Sequence, residues 1–143
     1  MSDQQTETIH ASCIALGERA ILLTGPSGSG KSDLALRLLD RGATLVSDDY
    51  TVLTANGGRL VASAPATIAG RIEVRGVGLV EIGNESGFPV ALLVDLKATP
   101  ERMPTGRSQT IAGVSLPAIG IAPFEASAPI KVELALLHIG LDP

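Results

Sequence analysis

The sequence predicts one mixed α/β domain, and three observations carry that expectation. The apolar run RAILLT enters a glycine-rich loop that opens a helical pattern, KSDLALRLLD; β-like runs then recur at short spacing; and 143 residues suit a single core. The first nine residues, MSDQQTETI, read as a polar leader, leaving residues 10–143 as the domain.

Each element has a local reason. IHASCIAL and RAILLT are apolar β-like runs separated by Gly17-Glu18, which suits a turn. Across residues 31–40, Leu34, Leu38 and Leu39 share one helical face, and Gly42 stops the helix. TLVSDD and TVLTANGGRLVAS read as strands, with Asn56-Gly57-Gly58 as a hairpin signal. A short helix is expected after Pro65. RIEVRGVGLVEI alternates as a strand interrupted by glycines, whereas FPVALLVDL is a nearly continuous apolar run, as in a strand covered on both faces. ATPERMPTGRSQT is a polar loop, and the remainder holds two short β pieces and a terminal helix over residues 129–138.

Composition excludes several functions. With 45% hydrophobic and 18% charged residues the chain is globular, and its apolar content is aliphatic: two Phe, one Tyr and no Trp. Any base pocket must then be built from aliphatics and backbone. A net charge of -4 and no run of Lys and Arg argue against nucleic acid as a partner. Cys13, the only cysteine, sits in an apolar run and reads as a buried core residue rather than a nucleophile. Neither a basic, apolar leader nor an apolar stretch of about 20 residues is present, so a cytoplasmic protein without membrane attachment is expected.

Gly25-Pro26-Ser27-Gly28-Ser29-Gly30-Lys31-Ser32 fits the pattern G-x-x-x-x-G-K-[ST]. Its glycines let backbone amides turn inward around a β-phosphate, Lys31 can reach the β and γ oxygens, and the Ser32 hydroxyl can ligate magnesium at a helix N-terminus. An acid that ends an apolar strand normally supports the metal as well. Two places qualify, Asp48-Asp49 after TLVS and Asp95 after PVALLV. Asp95 could equally be an ordinary strand-to-loop cap. The Asp48-Asp49 pair could be a solvated turn, or it could stand beside a γ-phosphate and accept a proton from an attacking hydroxyl. No N-K-x-D or D-x-x-G segment occurs, which excludes a small GTPase, and the scattered arginines Arg71, Arg75, Arg102 and Arg107 make no nucleoside-monophosphate-kinase lid.

The stretch IHASCIALGERAILLTGPSGSGKSDLALRLLDRGATLVSDD followed by APATIAGRIEVRGVGLVEI resembles the catalytic domain of HPr kinase/phosphorylase, the bacterial enzyme that phosphorylates a serine of the phosphocarrier HPr. The likeness runs from about His10 to Glu133 and rests on a histidine before the loop, a DD pair after the helix and an E-x-R-G-x-G strand. It implies a P-loop fold of the phosphoenolpyruvate carboxykinase-like type, with a mixed, largely antiparallel sheet and flanking helices. It implies ATP and Mg2+ as cofactors, Asp48 as general base with Asp49 beside it, His10 supporting Asp48, Lys31 on the phosphates, Ser32 and Glu73 as magnesium ligands, and Arg75 in catalysis. Glu73 and Arg75 share parity on the expected strand, so both can face a nucleotide, or they form a cross-strand salt bridge.

The departures bear on activity. The family's P-G-R-N-like loop corresponds to APFEASAPIK, which has no arginine and counts against phosphorylase activity. Arg102 is similar to an arginine of the family's D-R-L-G-like stretch; it and Arg107 either replace the missing charge or are solvated. The expected function is therefore an ATP-dependent serine kinase acting on an HPr-like phosphocarrier of the phosphotransferase system, with a homo-oligomer left open. The alternatives are a small-metabolite kinase on the same fold or a non-catalytic nucleotide-binding sensor. The scarcity of aromatics predicts loose nucleobase selectivity.

Overall fold

Alternation of side chains along the central strands sorts the core into two layers. In the computed structural model, which describes residues 5–143, the elements are β1 (Thr6–Ile9), β2 (Ala11–Leu16), β3 (Arg19–Thr24), α1 (Lys31–Asp40), β4 (Thr44–Ser47), β5 (Thr51–Asn56), β6 (Arg59–Ser63), β7 (Arg71–Val74), β8 (Gly78–Glu81), β9 (Phe88–Asp95), β10 (Ser108–Ile111), β11 (Val114–Gly120) and α2 (Ala128–Ile139). On β3, Ile21 and Leu23 pack with Leu34 and Leu38 of α1 and with Val132 and Leu136 of α2. Ala20 and Leu22 turn the other way and meet Cys13, Leu53, Leu60, Leu93 and Leu116 inside the curl of the sheet. Both layers are aliphatic, as the composition requires. The expected mixed α/β class is the class observed.

Nine strands form one curled sheet in the order β1-β5-β6-β9-β3-β2-β4, with β11 beside the end of β9 and β10 on β11. Its pairings are antiparallel except for β3 with β9 and β9 with β11. That exception positions the site. Thr24 pairs with Asp95 and Asp95 with Gly120, so three parallel strands end side by side. Antiparallel neighbours bring the start of β2, where Ala11 faces Thr24, and the end of β4, where Ser47 faces Cys13, to the same edge. Chain entering or leaving at this edge lies beyond the carboxyl ends of parallel strands, where α/β sheets place ligands.

Several expectations hold: α1 spans residues 31–40, Gly57-Gly58 closes the β5–β6 hairpin with both residues at positive φ, and β9 is buried along most of its length. Others change. Thr6–Ile9, inside the polar leader, pairs with β5 as β1, while residues 1–4 lie outside the described residues. Backbone pairing with an available edge needs no apolar sequence, so composition concealed this strand. The helix expected after Pro65 is a run of turns over residues 66–70. RIEVRGVGLVEI is not one strand but a hairpin, β7 with β8, in a separate two-stranded sheet. Gly76 and Gly78 both adopt positive φ there, so the glycines turn the chain rather than merely interrupt it. No described helix is long and apolar enough to cross a membrane.

Candidate active site

The loop Gly25–Ser32 leaves β3 and enters α1 through Gly30, which caps the helix at φ 97 with no side-chain cap. No described side chain caps the first helical amides, so they stay open toward the loop, the arrangement that receives an anion. Gly25 stands at φ 154, and a Cβ added there would lie 2.4 Å from Ser29 Oγ and 3.0 Å from Ser29 Cβ. Only glycine fits. Lys31 is 5% exposed, and its ammonium donates to the carbonyls of Gly25 at 2.7 Å and Pro26 at 3.1 Å. Burial lowers its pKa, while Asp49 and Asp48 pull in the opposite direction. The loop thus holds its own cation folded back on its first carbonyls.

Asp48 is the hub of the site. Its side chain is buried, and Oδ1 accepts hydrogen bonds from Ser12 Oγ at 2.8 Å and Ser32 Oγ at 2.7 Å, while Oδ2 accepts the Glu73 amide at 3.1 Å. One carboxylate therefore ties β2, the phosphate loop and β7 together. The solvated-turn reading of Asp48 is excluded by its burial. Asp49 is different: its side chain is 56% exposed and accepts from or pairs with His10 Nε2 at 2.7 Å. Its backbone sits at φ 68, closed by the Tyr50 amide on the Asp48 carbonyl at 2.8 Å and steadied by its own amide on Ser12 Oγ at 3.2 Å. A tight turn of this hand is uncommon away from glycine and is tolerated best by Asp and Asn.

This chain also has clear counterparts among known proteins. A family model described as HPr Serine kinase C-terminal domain matches residues 3–99. The chain belongs to that family. It is 38% identical over 84 residues to an HPr kinase/phosphorylase of Clostridium botulinum, covering 59% of this chain and 28% of that one. It is 30% identical over 129 residues to the HPr kinase/phosphorylase of Limosilactobacillus reuteri, covering 80% of this chain and 40% of that one. This HPr serine kinase C-terminal domain thus spans well under half the length of those relatives. The solved structure of the Hpr(Ser) kinase/phosphatase from Coxiella burnetii superposes with a TM-score of 0.78 at 28% identity, covering 92% of this chain and 94% of that one.

The domain places its expected site residues unevenly. Lys31, Ser32, Asp48 and the Glu73 backbone meet at one edge, with His10 and Asp49 adjoining. His10, which the resemblance implies supports Asp48, lies on Asp49 instead. The left-handed turn at Asp49 swings that carboxylate outward to the half-exposed imidazole. Arg75 is exposed in the β7–β8 turn, not on a strand with Glu73, and neither side chain forms a hydrogen bond or ion pair among the described residues. The cross-strand pair in this hairpin is Arg71 with Glu81, at 3.5 Å. Asp95 caps the amides of Lys97 and Ala98, the ordinary strand-to-loop role. Cys13 is fully buried and its thiol is pushed well above its usual range by that burial, which fits a core residue.

Sequence reasoning missed Ser12, whose hydroxyl donates to Asp48 while accepting the Asp49 amide. The available signal was a serine inside an otherwise apolar run. It also missed Arg37, which donates to the carbonyls of Pro123 and, at 3.2 Å, Glu125, fastening the β11–α2 connection onto α1.

Proposed function

We propose that this domain is a cytoplasmic, ATP-dependent kinase of the P-loop, phosphoenolpyruvate carboxykinase-like type that phosphorylates a serine of an HPr-like phosphocarrier protein. The observation that carries this reading is the Asp48 carboxylate, buried and hydrogen-bonded to the hydroxyl of the loop residue Ser32 next to Lys31. A nucleotide held in the loop with its terminal phosphate near Ser32 would have this carboxylate beside it. The family and the names of its relatives supply the acceptor class.

The residues present suit magnesium. Ser32 offers a hydroxyl and Glu73, whose amide is tied to Asp48, a carboxylate, the hard oxygen donors that magnesium prefers, and the remaining positions would fall to water and phosphate. Bound there, the ion would neutralise charge developing on the β and γ oxygens. Lys31 would exchange its hold on the Gly25 and Pro26 carbonyls for phosphate oxygens. Asp48 would accept the proton of the incoming serine hydroxyl, and Ser12 and the Glu73 amide hold its carboxylate in place while it does so. Arg75, exposed in the hairpin turn, is a cation available to the transferring phosphoryl group. The missing loop arginine is not replaced by Arg37, whose guanidinium is committed to two carbonyls and to Asp33 at 3.0 Å. Forward transfer without efficient reversal is the expectation.

The test is transfer from γ-labelled ATP with magnesium to the HPr-like protein of the same organism, beside Lys31→Ala and an acceptor lacking its serine. Label on the serine, lost in both controls, supports the reading. Absence of label with ATP binding intact removes it in favour of a metabolite kinase or a sensor.

A further inference from the structure

Phe124 is 70% exposed, one of only two phenylalanines in a chain with no tryptophan. An aromatic ring that contributes so little to the core needs another reason for its place. The ring rests on the last glycine of the phosphate loop: a Cβ added at Gly30 would lie 3.0 Å from its Cζ, 3.1 Å from its Cε1 and 3.2 Å from Pro123 Cβ. The position follows from the topology: β11 ends beside β9, and β9 ends beside β3 on its other flank, so the chain leaving β11 reaches the loop that leaves β3.

The segment is also held from both sides. Arg37 of α1 donates one guanidinium nitrogen to the Pro123 carbonyl and the other, at 3.2 Å, to the Glu125 carbonyl, so the residues flanking Phe124 are fixed to the helix that the loop opens. Its Nε is buried without a partner among the described residues, a cost accepted in that orientation. The Asp33 ion pair at 3.0 Å sets the rotamer. The result is a ring with one edge against the phosphate loop and the rest open to solvent, on a mount that costs little further ordering when a ligand arrives.

We propose that Phe124 is the stacking platform for the base of a nucleoside triphosphate whose phosphates occupy Gly25–Ser32. This rests on the nucleotide reading of the site and adds the subsite for the base. It also revises the expectation from composition, since one of the few aromatic rings stands at the mouth of the loop. Selectivity stays loose because stacking uses the π-face that every base presents. Arg37 acts as a positioning residue through the backbone on either side of the ring.

The experiment measures binding of magnesium-ATP, magnesium-GTP and magnesium tripolyphosphate to the wild-type protein, Phe124→Ala and Phe124→Trp. Phe124→Ala should weaken both nucleotides by about five- to a hundredfold, the range of base–aromatic stacking, and leave tripolyphosphate unchanged. In Phe124→Trp the new indole is the sole tryptophan, and its fluorescence should change with either nucleotide and not with tripolyphosphate. Unchanged ATP affinity in Phe124→Ala overturns the assignment. Equal loss of ATP and tripolyphosphate overturns it too, by making the ring a prop for the loop. If the wild-type protein binds neither ATP nor tripolyphosphate, the nucleotide reading itself fails, and the base subsite with it.

Discussion

Replacing Asp48 with asparagine changes one oxygen for an amide and removes one charge, and the structure dictates what that costs. Oδ1 accepts two hydroxyls, from Ser12 and Ser32, and Oδ2 accepts the Glu73 amide. If the asparagine oxygen faces the serines, its NH2 opposes the Glu73 N–H, and a donor is left unpaired in a buried place. If it faces Glu73, the NH2 meets the two hydroxyls, which must rotate to accept and then lose their own acceptor. Ser12 has little room to do so, because its oxygen already receives the Asp49 amide at 3.2 Å. Either orientation orphans at least one buried donor, worth about 1–3 kcal/mol. For a chain of this size that is a fall in Tm of about 3–10 °C. Thermal and urea unfolding of Asp48→Asn beside Ser12→Ala and the double variant measures the loss and the coupling between the two residues. In the same preparation phosphoryl transfer should vanish while ATP still binds. A variant as stable as the wild-type protein, or additive with Ser12→Ala, would refute the hub; unchanged transfer would remove Asp48 from the chemistry.

Three further outcomes follow from neighbouring residues. Lys31 is buried and its pKa lies below the usual 10.5 because desolvation outweighs the pull of Asp49 and Asp48. Between the folded and unfolded pKa values the unfolded chain binds more proton, so the stability of the wild-type protein relative to Lys31→Met should rise with pH as 10.5 is approached, and urea midpoints that fall over that window would contradict it. Gly25→Ala forces a Cβ to within 2.4 Å of Ser29 Oγ in a loop outside the core. Isothermal titration should show ATP affinity reduced by about tenfold or more, with the Tm within a few degrees of wild type. At Asp49, with φ 68, valine should lower stability by about 1–3 kcal/mol and asparagine by far less, as read from chemical denaturation; equal losses would mean that the turn is not strained.

What could be read from the sequence divides by range. The phosphate loop, α1 and the β5–β6 hairpin depend on glycine conformations and on 3.6-residue periodicity, which are local, and all three stand where the pattern puts them. The Glu73–Arg75 stretch shows the limit: alternation is the same for one interrupted strand and for a four-residue strand entering a turn, and only Gly76 and Gly78 at positive φ separate the two. β1 was invisible because an edge strand draws its stability from backbone pairing with β5, not from apolar side chains. Asp48 and Asp49 were legible as a pair but not as opposites, since nothing in DD says which carboxylate turns inward. That is decided by the distant Ser12, brought into reach by the pairing of β2 with β4.

The position of the site follows from a minority feature of the sheet. Antiparallel strands alternate their ends between two edges, so a wholly antiparallel sheet would have scattered the loop, the carboxylates and the β11–α2 connection. Because β3, β9 and β11 run parallel, their exits coincide at Thr24, Asp95 and Gly120. Gly120 confirms how closely they approach: a Cβ there would lie 3.0 Å from the Ala98 carbonyl oxygen and 3.1 Å from its Cβ. A larger residue at position 120 would push the β11 exit away from the β9 exit and carry Pro123 and Phe124 off Gly30. Gly120→Val should therefore weaken ATP binding from outside the loop itself, and tripolyphosphate binding should suffer less than ATP binding in a titration of both. Equal effects on the two would mean that the crowding reaches the phosphate loop directly rather than through the segment that bears the ring.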